Sequence, residues 1–111
     1  MGVKMTTIEQ NSAYATLINV FTVEPDRAAE LAALLTTATE EVMRDRPGFR
    51  SANIHVSTDG SRVVNYAQWD SADAYRSMLK DPIAQRHMSE AAALAISFDP
   101  HLYTVESVHE R

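Results

Sequence analysis

Two alternating runs of residues, Phe49 to Ser57 and about Arg62 to Trp69, are joined by a short connection centred on Asp59-Gly60. A tight turn needs positive φ values that Gly and Asp tolerate, so this dipeptide ties the two runs into an antiparallel hairpin. Upstream, Tyr14 to Val23 is rich in β-branched and aromatic residues and reads as a first strand, with Ala15, Leu17, Asn19 and Phe21 on one face. Pro25 suits the first turn of a helix, and Asp26 is favoured near its positive end. In that helix Leu31, Leu34, Leu35, Ala38 and Val42 form one amphipathic stripe, which Pro47-Gly48 ends.

Downstream of the hairpin, Ser71 is placed to N-cap a short helix carrying Tyr75, Met78 and Leu79. Asp81-Pro82 opens another, on which Ile83, His87, Ala91 and Leu94 share a face. Residues 97–100 read as a turn around Pro100, and Leu102 to Val108 as a last strand. Residues 1–12 lack periodicity and apolar weight and read as a mobile tail; residues 13–111 read as one domain.

The order β-α-β-β-α-α-β is the ferredoxin-like split β-α-β pattern with its second helix broken, an α+β class. It predicts an antiparallel sheet with helices on one face. The other face is apolar enough to need cover, and a second copy would supply it, giving a homodimer of the dimeric α+β barrel kind.

Composition excludes several functions. A formal net charge of −5, with no Lys/Arg run, argues against nucleic acid. Cys is absent, which removes thiol catalysis, disulfides and thiolate metal sites. No stretch approaches the ~20 apolar residues of a membrane span, and the N-terminus has no signal-like core, so a soluble cytoplasmic protein is expected. No G-x-G-x-x-G, Walker or G-x-S-x-G element occurs. His87 and Glu90 are spaced i, i+3, but no second histidine and carboxylate stand by to complete a metal site, so none is expected.

What remains is a set of polar groups among apolar ones. Val63, Asn65, Ala67 and Trp69 share one face of the third strand. Asn19 lies midway along the first strand, and a ferredoxin-like sheet places those two strands side by side. Two amides in mid-strand oppose β propensity, and an indole N–H donates but cannot accept. Each alone fits a core role; together they suit a cavity for a polar-edged aromatic ligand. Tyr75, one turn into the next helix, could close that cavity or simply pack. His87 sits in an apolar stripe facing the same space. Arg86, about 100° away on the helical wheel, belongs either at the pocket mouth or on solvated surface. His55, close to the hairpin, is either pocket or surface.

The segment His55 to Trp69, ending in Asn-Tyr-Ala-Gln-Trp, resembles the hairpin of the antibiotic biosynthesis monooxygenases. The likeness spans Ala15 to Leu94 in outline and is motif-grade from His55 to Arg76. It implies a dimer of ferredoxin-like chains that oxidises a polycyclic aromatic, an anthrone or a quinol, to a quinone with O2 as co-substrate and no cofactor. Carried over by residue, Asn65 and Trp69 match the family's pocket Asn and Trp, Tyr75 the tyrosine of the Ala-Tyr-Arg element, Asn19 a first-strand Asn, and His55 the histidine before the turn. Counted from Asp81-Pro82, the place of the family's helix arginine holds Met88, a departure that leaves Arg86 without that role by alignment. Two other readings compete. One is a small-molecule-binding barrel without turnover. The other is a haem-degrading monooxygenase, which the chain resembles less, because Met78 and Leu79 stand where its axial histidine would be.

Overall fold

The computed structural model describes residues 5–10 and 13–111. Its elements are β1 (Ala15–Thr22), α1 (Ala28–Glu41), β2 (Phe49–Val56), β3 (Arg62–Trp69), α2 (Ala72–Leu79), α3 (Pro82–Leu94) and β4 (Ser97–Tyr103). The strands form one antiparallel sheet in the order β2-β3-β1-β4, the ferredoxin-like arrangement read from the sequence. No helix among the described residues is long and apolar enough to cross a membrane.

The local signals explain most boundaries. Pro25 opens a 3₁₀ turn, Pro25–Arg27, that leads into α1. Ser71 Oγ accepts the Ala74 N–H at 3.1 Å and caps α2, while Asp81 caps α3 by accepting from Ile83 N–H at 2.7 Å and Ala84 N–H at 3.2 Å. The hairpin loop is wider than a two-residue turn. Gly60 takes positive φ, at 75°, and Asp59 Oδ1 gathers Ser57 Oγ, Ser61 N–H and Ser61 Oγ.

Two expectations need correction. The last strand begins at Ser97, not Leu102, so the supposed turn around Pro100 is β structure. A proline is tolerated there because β4 lies at the sheet edge. On α3 the buried residues are Ala84 and Ala91, whereas Ile83 is exposed. The helix is rotated from the expected stripe so that small side chains meet the rest of the fold.

Phe21, Val23, Leu31 and Val63 make one core cluster; Leu17, Ala67, Trp69, Met78 and Ala84 make a second. Between them, on the same face of β1 and β3, the register places Asn19 opposite Asn65, flanked by Phe21–Val63 and Leu17–Ala67. Apolar packing is interrupted at the middle of the sheet. On the opposite face Ile18, Val20, Val64 and Tyr66 are only half-buried. Residues 1–4, 11 and 12 of the expected tail lie outside the described residues. Residues 6 and 7 lie against this face: Thr6 Oγ1 donates to Asn53 Oδ1 at 3.2 Å and Gln68 Nε2 to the Thr7 carbonyl at 2.8 Å.

Candidate active site

Where the core is interrupted, a cavity of about 570 Å³ opens between sheet and helices. Its floor is Leu17, Asn19, Phe21, Asn65, Ala67 and Trp69; α1 contributes Leu35, Ala38 and Thr39, α2 Tyr75, Met78 and Leu79, α3 His87, Met88 and Ala91, and β4 Phe98 and Pro100. That volume lies in the range of sites for drug-sized ligands, and the lining is mostly apolar, as such sites usually are.

The walls are held by a few local devices. Gly48, at φ 84°, starts the approach to β2, and its carbonyl accepts the Asp70 N–H at 2.7 Å. A Cβ added to Gly48 would lie 2.5 Å from Ala74 Cβ, so only glycine lets α2 come close enough to bring Tyr75 over the floor. Arg46 ion-pairs with Asp81, joining the turn after α1 to the junction of α2 and α3. The Ala84 and Ile83 N–H groups, with Arg46 adding, hold the Asp81 carboxyl below its ordinary range.

Trp69 is almost fully buried, packed edge-on against Phe49 (centroids 5.4 Å, 86°) and Tyr75 (6.2 Å, 61°). Its Nε1 and the Asn65 Oδ1 are buried side-chain atoms without a hydrogen-bond partner, and both residues line the cavity. Such orphans each cost roughly 1–3 kcal/mol. Asn19 differs from its cross-strand neighbour: its Oδ1 accepts the Asp99 N–H at 3.2 Å, which leaves its amide N–H2 for other partners. Two floor residues thus carry unpaired polar atoms, an indole donor and an amide acceptor that are themselves sealed from solvent, and Asn19 carries an amide with donors to spare. Burial raises the Tyr75 phenol above its ordinary value, so it stays protonated and is suited to donate a hydrogen bond rather than to serve as a base.

Of the residues singled out from the sequence, Asn19, Asn65, Trp69, Tyr75 and His87 line this one cavity. Arg86 and His55 do not; both are exposed. Arg86 follows the rotation of α3. His55 is paired with Val64 on the helix-free face, its Nδ1 3.1 Å from the Asn53 carbonyl. A bulge between Phe49 and Ser51 sets that parity, letting both Phe49 and Ala52 face the cavity. Thr39, Met43, Phe98 and Pro100 also line it and were not foreseen. The alternation of Phe98, Pro100 and Leu102 was the available signal for the last two. Among the described residues no group of three or more His, Asp or Glu is placed to hold a metal ion.

A family model described as antibiotic biosynthesis monooxygenase matches residues 15–90. The tetracenomycin-F1 monooxygenase of Streptomyces glaucescens is 47% identical over 83 residues, covering 75% of this chain and 74% of that protein. A Streptomyces coelicolor monooxygenase solved with nanaomycin D superposes with a TM-score of 0.78 at 30% identity, over 90% of this chain and 93% of that one. SnoaB, a cofactor-independent oxygenase from Streptomyces nogalater, superposes with a TM-score of 0.75 at 26% identity, over 87% and 97%.

Proposed function

The chain belongs to the antibiotic biosynthesis monooxygenase family, and from that membership we propose that it is a cofactor-independent monooxygenase converting an anthrone- or quinol-like polycyclic aromatic to a quinone. The observation that carries this reading is the pair of orphaned polar atoms, Asn65 Oδ1 and Trp69 Nε1, on two residues that line a mostly apolar cavity. The likeness to an oxygenase described as cofactor-independent supports the absence of a prosthetic group.

The chemistry follows from the substrate. Loss of a ring C–H proton gives an electron-rich enolate, which passes one electron to O2. The radical pair recombines as a new C–O bond, forming a hydroperoxide. Loss of the second C–H proton with O–O cleavage leaves the quinone carbonyl and releases water. One O2 is consumed; one of its oxygen atoms enters the product and the other leaves as water. The protein has to favour the enolate, orient it and exclude water. Trp69 Nε1 donates to the developing oxyanion, aided by the Asn19 amide. Asn65 Oδ1 accepts from a substrate hydroxyl and fixes its register. Tyr75 and His87 shape the wall, and His87, with a ring nitrogen able to accept, receives the proton. Two copies pack through the helix-free sheet face, where Ile18, Val20, Val64 and Tyr66 await cover.

The test is oxygen uptake by chelator-treated protein with dithranol, a three-ring anthrone, beside the N65A/W69F double variant. Uptake above the spontaneous rate, retained with chelator and lost in the variant, is expected. Binding of the anthrone without any acceleration would replace the enzyme by a ligand-binding protein.

A further inference from the structure

The wall of the cavity at β4 differs from the rest. Phe98 and Pro100 line it, yet Phe98 is 53% exposed, and Leu102 beyond them is 36% exposed. In register these residues stand beside Phe21, Asn19 and Leu17 of the floor, so the floor continues onto the edge strand without a helical roof. Phe98 packs against Phe21, with centroids 6.3 Å apart and 40° between the ring planes, and about half of it stays open. A half-exposed aromatic that walls a cavity is half of a stacking site. It is also displaced from the reacting groups: from Asn19 it is two residues along and one strand over, roughly 7 Å and 5 Å.

We propose that Phe98 forms the mouth of the site and selects for ring number, stacking on the terminal ring of a linear four-ring substrate whose inner ring lies over Asn19 and Asn65. A three-ring molecule in the same register stops short of it. The inference rests on the function proposed above but concerns extent, not chemistry, and the two fail separately. Phe98 supplies no group to the reaction and is a specificity residue.

Trp69 is the only tryptophan of the chain and lines the cavity, so quenching of its fluorescence reports occupancy without turnover. Two redox-stable probes, anthraquinone with three rings and naphthacenequinone with four, are titrated into wild type and into the Phe98→Ala and Phe98→Tyr variants. Wild type should bind the four-ring quinone about tenfold more tightly, an advantage that Phe98→Ala removes and Phe98→Tyr restores, with three-ring affinity unchanged within about twofold. Equal weakening of both probes in Phe98→Ala, or no weakening, overturns the proposal. Equal weakening with a change in sedimentation would assign the row to contact between copies. Failure of wild type to bind either quinone would refute the proposed substrate class itself, and ring selection by Phe98 with it.

Discussion

Replacing Trp69 by Phe separates the catalytic use of the indole N–H from its packing. The phenyl ring keeps the edge-on contacts with Phe49 and Tyr75 but gives up roughly 40 Å³, which at about 24 cal/mol per Å³ costs about 1 kcal/mol. It also removes a buried donor that has no partner, recovering about 1–3 kcal/mol. The net lies between zero and about 2 kcal/mol in favour of the variant, so Tm should hold or rise. Catalysis should move the other way. A single preorganised donor to a developing oxyanion is worth about a hundredfold to a thousandfold in kcat. Because that charge is absent from the neutral ground state, KM should change little. Chelator-treated variant and wild type are compared by initial O2 uptake with dithranol, corrected for spontaneous oxidation, and by thermal melts of the same samples. A kcat within threefold of wild type would dismiss Trp69 as the donor. A loss of activity matched by a fall in Tm would show that the indole serves packing alone.

Asn65→Leu should abolish turnover while raising stability by about 1 kcal/mol in urea melts, since an unpartnered buried carbonyl is exchanged for an apolar group of similar size; a destabilised variant would mean the amide is satisfied in solution. Gly48→Ala should cost about 2 kcal/mol or more, because its Cβ meets Ala74 at 2.5 Å and its φ is 84°; a wild-type Tm would refute the close approach of α2. The Ser61 hydroxyl and N–H, with Ser57, hold the Asp59 carboxyl at about 2, below its usual 3.8. Its folded-state value is depressed, so its contribution is present above pH 3.8 and is lost as pH falls toward 2. Asp59→Asn should therefore flatten the acid side of a Tm-against-pH curve in that window, and an unchanged slope would count against the Ser–Asp loop.

The sequence was most legible where one residue does a local job. Asp59-Gly60, Ser71 and Asp81-Pro82 each satisfy backbone groups within a few positions, and all three fall where expected. It was least legible where a side chain's direction depends on a distant partner. His55 and Arg86, open in the sequence between pocket and surface, are turned to the surface by a bulge one strand-length away and by the rotation of a helix whose alanines pack inward. Pro100 misled for a related reason: a proline signals a turn unless the strand is at an edge, and edge position belongs to the whole sheet. Asn19 and Asn65 could be paired in advance because the fold pattern alone sets β1 beside β3. That Asn19 turns its carbonyl toward β4 while Asn65 keeps its own free follows from the position of β4, which begins at Ser97 and not at Leu102.

Pro100 has a further effect on the edge it occupies. Asp99 directs its N–H inward to Asn19, so strand alternation turns the backbone of the next residue outward to the free margin of the sheet. There proline has no N–H to offer, and the row of donors on which a foreign strand would zip up is broken at its middle. An oily doorway on an unguarded margin would be a seed for fibrils; with that gap, the chain can keep the doorway open and remain dispersed at the concentrations a working enzyme needs.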